Sequence, residues 1–93
     1  MRLGVDVGTA RIGVARSDFH GMLATPLETV KRGPGDLGRI AELATECDAF
    51  EIVVGLPIAL SGRETASTGD ARLFAGELAS VQPAPVRMVD ERL

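Results

Sequence analysis

Acidic side chains stand at two points of this 93-residue chain where they could hold a cation or steer a phosphate. Asp6 interrupts the apolar run Leu3-Gly4-Val5-Asp6-Val7 and is followed by Gly8 and Thr9. A carboxylate inside an apolar strand is costly unless it is partnered. A glycine two residues on lets a backbone or a phosphate come close. These residue types leave two roles open for Asp6: a core carboxylate that bonds the amides of the following turn, or a hard-cation ligand or phosphate-positioning group. The second point is Asp90-Glu91-Arg92, two acids beside a cation suited to phosphate. It reads either as a solvated strand end or as the partner of Asp6. A third segment, Gly55-Leu56-Pro57 with Leu60-Ser61-Gly62-Arg63, is either a surface connection or the wall of a substrate groove, with Arg63 placed to clamp a phosphate.

The elements that must position these residues are readable from spacing. Leu3, Val5 and Val7 alternate with Gly4 and Asp6, which predicts a strand over 2–8. Gly8-Thr9-Ala10-Arg11 is a tight link to a second strand over 12–16, so the two form an antiparallel hairpin. Residues 18–21 read as a turn and 22–32 as a third strand. Pro26 cannot donate to a ladder, so this strand is expected at a sheet edge or with a bulge. Asp36 is a plausible N-cap for a helix over 37–47, where Leu37, Ile40, Ala41 and Ala44 recur at helical spacing. Ile52-Val53-Val54 is a β-branched run of the kind found in strands covered on both faces. Residues 55–65 form a Gly/Pro/Ser loop, 66–80 a second helix, and 86–90 a fifth strand.

The pattern is β-β-β-α-β-α-β, an α/β fold with a mixed five-stranded sheet in the expected order 3-2-1-4-5. Ligands in such sheets sit beyond the carboxyl ends of the strands, so the end of the first strand is where chemistry is expected. The first and fifth strands stand two spacings apart, roughly 10 Å. An Asp and a longer Glu reaching inward leave a gap of about 4 Å, which a cation with oxygen ligands at about 2.0–2.1 Å bridges. Two Asp side chains fall short, which favours Glu91 over Asp90.

Composition narrows the class. Apolar residues make up 45% and charged residues 25%, which fits a soluble globular domain and excludes a disordered chain. No apolar run reaches the ~18–20 residues of a membrane span, and Asp6 breaks any signal-peptide core. The single Cys47 excludes a disulfide framework and a Cys-based zinc site, and it is read as a small hydrophobe. A cytoplasmic location is expected. The net charge of −3 argues against whole-surface attraction to nucleic acid, but the ten basic residues include nine Arg, and Arg11, Arg16, Lys31 and Arg32 give the first three strands a local positive excess. With no Trp or Tyr and three Phe, base stacking is a poor recognition mode, and backbone and shape readout is favoured. His20 is a lone turn residue, and Gly33-Pro34-Gly35 is punctuation, since no Gly-Lys-Ser/Thr follows.

Asp-x-Gly-Thr after a first strand occurs in the actin and sugar-kinase ATPases and in RNase H-like nucleases. The ATPases bind nucleotide between two such domains, which 93 residues do not supply. Four segments then carry a more specific resemblance: Gly4 to Ala15, Ala24-Thr25-Pro26-Leu27, Val53-Val54-Gly55-Leu56-Pro57, and Val89-Asp90-Glu91-Arg92-Leu93. In this order, and across the whole chain, they resemble the YqgF family. These are bacterial RNase H-like proteins described as candidate Holliday-junction resolvases and pre-16S ribosomal RNA nucleases.

The resemblance implies an RNase H-like fold, a divalent ion (Mg²⁺ or Mn²⁺), and hydrolysis of phosphodiester bonds in pre-16S rRNA or branched DNA. It assigns the metal-binding, catalytic acids to Asp6 and Glu91. Gly8, Thr9, Arg11, Arg63 and Arg92 are then candidates to hold substrate phosphates. The family continues past the Asp-Glu-Arg motif into helices, the last of which carries a third acid. The chain is therefore read as one domain, 1–93, truncated at its C-terminus. Two consequences are expected: a non-catalytic nucleic-acid or ribosome-assembly binding module is the alternative to a nuclease, and a bared sheet face would promote a homodimer.

Overall fold

A computed structural model of the chain describes residues 1–17 and 24–90. The elements run β1 (Arg2–Val7), β2 (Arg11–Ser17), β3 (Ala24–Lys31), α1 (Asp36–Glu46), β4 (Glu51–Leu56), α2 (Ala66–Val81) and β5 (Val86–Asp90). They form one five-stranded sheet in the order β3-β2-β1-β4-β5. The first three strands pair antiparallel, while β4 and β5 run parallel to β1. The order is the expected one, and the predicted turn at 18–21 lies outside the described residues.

Pleating sorts each strand into two faces. Leu3, Val5 and Val7 of β1, Ile12 and Val14 of β2, and Ile52, Val54 and Leu56 of β4 are all buried. They meet Ile40, Leu43 and Ala44 of α1 and Ala71, Phe74, Ala75 and Leu78 of α2. The α2 residues recur at i, i+3, i+4 and i+7, the spacing that keeps one stripe turned to the sheet. Both helices thus contribute to one core on one face of the sheet.

The opposite face carries Gly4, Asp6, Gly13, Val53 and Gly55, none of them fully buried. The expectation that Ile52-Val53-Val54 is covered on both sides is corrected: among the described residues only the helix side is covered, and Val53 is half-buried.

Pro26 satisfies both parts of its expectation. It lies in the edge strand, and the ladder slips beside it: Val14 pairs with Glu28 but Ala15 with Pro26, leaving Leu27 as the extra residue. The cap of α1 differs from the reading. Gly35 occupies the N-cap with φ 90°, and Asp36 is the first helical residue. That φ is open to glycine at no steric cost. The Asp36 carboxylate instead accepts from the amides of Gly33 (3.1 Å) and Leu37 (2.7 Å), and it lies where a negative charge suits the helix dipole.

Candidate functional site

Asp6 is the one acidic residue of β1, and alternation decides where it points. Val5 and Val7 turn to the helices, so Asp6 turns to the open face, where it is exposed. Burial therefore imposes no desolvation cost on it. None of the ion pairs among the described residues involves it.

The surroundings of Asp6 are bare. Its antiparallel partner is Gly13. The parallel ladder pairs Val5 with Val54, which brings Gly55 alongside on the other flank. Val89 pairs with Gly55 one strand further out. These residues, with Gly4 and Val53, floor a groove of about 680 Å³ across the open face. A methyl placed on Gly13 would find only Asp6 Cβ near it, at 3.9 Å. Absence of side chains on both flanks leaves the carboxylate open to a large ligand.

Beyond Asp6 the chain reverses tightly. The Gly8 amide donates to the Arg11 carbonyl at 2.9 Å. A Cβ on Gly8 would sit 2.7 Å from that oxygen, a distance at which the turn must shift. Thr9, at the tip, is exposed and lines a separate cleft of about 520 Å³ between this turn, α1 and α2. Arg32, just past β3, reaches into the same place. Its Nη1 donates to the Gly8 carbonyl at 2.8 Å. Its guanidinium also grips Asp70 of α2 through two bonds, 2.8 and 3.1 Å, and lies over the Phe74 ring at 5.4 Å. That hydrogen-bonded grip holds the Asp70 carboxyl below its usual range and raises Arg32 above its own.

The other expected site residues scatter around the same end of the sheet. Arg63 follows β4 in an exposed turn in which its carbonyl accepts from Ala59 at 3.1 Å. Arg11 opens β2, exposed, opposite Lys31. Neither arginine forms an ion pair among the described residues, nor do Arg16 and Lys31. Of the four residues expected to give a local positive excess, Arg32 is offset by Asp70 and Asp36.

Glu91, Arg92 and His20 lie outside the described residues. Asp90 is informative in their place: it pairs with the buried Leu56 and so belongs to the helix face, away from Asp6. Cys47 caps the end of α1, free and half-buried against the core. Among the described residues no group of three or more His, Cys, Asp or Glu gathers to hold a metal. The chemistry of Asp6, an exposed hard oxygen donor beside open space, fits Mg²⁺ or Mn²⁺ rather than a softer ion.

A polar anchor on the other side of the site was not anticipated from the sequence. Thr68 is fully buried, and its hydroxyl donates to the Pro57 carbonyl at 2.5 Å. It also shares a reciprocal capping box with Thr65 at the start of α2. The signal was Thr65-Ala66-Ser67-Thr68, a capping box in which Thr replaces the usual Glu.

Comparison with known proteins places this geometry in context. A family model described as RuvX, Holliday junction resolvase, matches residues 1–93. A protein of Clavibacter michiganensis named as a candidate pre-16S rRNA nuclease is 63% identical over 95 residues, covering 99% of this chain and 59% of that protein. A Leifsonia xyli protein of the same name is 60% identical, covering all of this chain and 61% of its own length. The chain thus spans about three-fifths of these curated relatives. Among solved structures, Thermus thermophilus RuvC in complex with a Holliday junction substrate superposes with a TM-score of 0.64 at 21% identity, over 98% of this chain and 64% of that one. A second structure of that RuvC gives 0.59 at 24% identity, over 96% of this chain and 63% of that one. At these identities the likeness speaks for the fold.

Proposed function

The chain belongs to the RuvX Holliday junction resolvase family, and on that premise we propose that residues 1–93 form the sheet domain of a metal-dependent nuclease whose reaction centres on Asp6. The observation that carries this reading is the exposed Asp6 carboxylate at the C-terminal end of the central strand, flanked by glycines on a grooved open face. The relatives' names favour the 5′ end of pre-16S rRNA as substrate; the family's name favours branched DNA. Both are phosphodiesters, and both fit a cytoplasmic enzyme.

In this reading Asp6 and Glu91 hold Mg²⁺ or Mn²⁺. The position of Asp90 on the opposite face supports Glu91 as the second acid. A bound divalent ion supplies charge stabilisation at the phosphate and an activated water. The residues of this chain do the rest. Asp6 would hold the ion from the C-terminal end of β1, beside the glycine floor. The glycine floor admits the substrate backbone to that depth. Thr9, through its amide, and Arg11, Arg63 and Arg92, through guanidinium forks, hold flanking phosphates; the Gly8 amide, expected to join them, instead donates to the Arg11 carbonyl and shapes the turn.

The test uses a protein of the relatives' full length. Asp6→Asn removes Mg²⁺-dependent cleavage of precursor rRNA and of four-way junctions, while circular dichroism and the unfolding midpoint stay those of the unsubstituted protein. Retained cleavage overturns the reading. Binding without cleavage by the unsubstituted protein favours a binding module instead. The open groove also supports association between copies of the 93-residue chain. Light scattering should then show mass rising with concentration, and a constant monomer mass at high concentration excludes it.

A further inference from the structure

Arg32 bonds the turn that follows Asp6 and pairs with an acid from each of the two helices, and no part of the reading above uses it. Its guanidinium donates to the Gly8 carbonyl (2.8 Å), and its own amide donates to the Ala10 carbonyl (3.1 Å). The turn is thus pinned at two of its carbonyls by one residue. The guanidinium in turn is not free to swing. Asp70 holds it by a two-pronged pair, the Phe74 ring lies beneath it, and Asp36 approaches its Nε at 3.8 Å. A planar fork so held has little freedom left. Asp70 sits in the first half of α2, the helix that packs on β1, β4 and β5. The result is one chain of contacts from α2 through Asp70 and Arg32 to Gly8, two residues from Asp6.

We propose that Arg32, held by Asp70, is a positioning residue: it sets the Gly8-Thr9-Ala10 turn and thereby the geometry at Asp6, with no contact of its own to substrate or metal. The functional half of this rests on the reading that Asp6 binds a divalent ion. A group hydrogen-bonded directly to a metal ligand typically governs about 10- to 100-fold in metal affinity; Arg32 bonds Gly8, two residues from Asp6, so its effect lies below that range.

Arg72 supplies the control. From the same helix it makes an equally forked pair, 2.9 and 2.7 Å, with Glu64 in the preceding loop, and among the described residues it makes no hydrogen bond to the turn. If ion pairing on α2 mattered only for stability, Arg72→Gln and Arg32→Gln would act alike.

The experiment is nitrogen-15 amide spectroscopy on the 93-residue chain, with Arg32→Gln, the milder Asp70→Asn, and Arg72→Gln. Without metal, the first two should move the Gly8, Thr9 and Ala10 amide signals, and Arg72→Gln should leave them in place. Titrated with Mn²⁺, the unsubstituted chain should lose signal by paramagnetic broadening around Asp6, and Arg32→Gln should need more Mn²⁺ for the same loss, by less than about tenfold. Asp70→Asn should fall between, since the guanidinium keeps its charge but loses its holder. Unmoved turn amides in both Arg32→Gln and Asp70→Asn overturn the proposal whatever the metal does. Moved amides with unchanged Mn²⁺ dependence overturn its functional half. No broadening near Asp6 in the unsubstituted chain overturns the metal reading, and the turn amides alone then decide whether Arg32 positions the turn.

Discussion

At the scale of single residues, the close approach at Gly8 makes the sharpest statement. The sequence marks this glycine as a place where something must come near, and something does: the carbonyl of Arg11, three residues on, rather than a ligand. Gly8→Ala should therefore destabilise the fold by about 1–3 kcal/mol, by forcing the turn open. Urea denaturation checks this, and an unchanged midpoint would mean the turn absorbs the methyl. Asp6 stands out in the sequence as a candidate for chemistry, but its direction does not, because an Asp in an apolar strand reads the same whichever way it points. Its exposure follows only once Val5 and Val7 are known to face the helices. The Arg32–Asp70 pair was not legible at all. Its members lie 38 residues apart, and nothing in local spacing couples the residue after an edge strand to the first half of a distant helix.

Elements show a similar division. The sequence predicts every strand and helix among the described residues, because apolar alternation and helical spacing are strong in β1, β2 and α2. Pro26 even foretells the bulge, since a residue without an amide hydrogen forces the ladder to adjust. Caps are harder. The αL conformation of Gly35 moves the start of α1 by one residue, and the sequence Gly-Asp allows either residue to cap. The start of α2 is the more consequential case. Thr68 closes the capping box and ties the β4–α2 loop to the helix through the Pro57 carbonyl. Thr68→Val keeps the shape but removes both bonds and strands a carbonyl. It should cost about 1–3 kcal/mol, read as a lower midpoint in thermal unfolding. A midpoint equal to that of the unsubstituted chain would show that water replaces the hydroxyl.

Over the whole molecule, the acids and arginines act together on stability. Arg39 holds the Glu28 carboxyl below its usual range, Arg87 and Arg2 do so for Glu51, Arg72 for Glu64, and Arg32 for Asp70. A carboxyl whose folded pKa is depressed stabilises the fold above its unfolded value and loses that contribution as pH falls through the folded one. The unfolding temperature should thus hold steady between about pH 6 and 8 and fall progressively below about pH 4. Because the groups are solvent-accessible, added salt should shrink the fall. Melting curves against pH at low and high salt check both parts, and a flat profile down to pH 3 contradicts them. The strand order was legible at this scale because hairpins and crossovers leave few alternatives. The one-sided burial of the sheet was less so, since Val53 reads like a core residue wherever it points. Among the described residues β3 and β5 are the outer strands of the sheet, and they are not alike. At β3 the proline and the extra Leu27 spoil the regular row of donors and acceptors that a further strand would need. Growth of fibres by edge-to-edge strand addition is thereby disfavoured at the β3 edge.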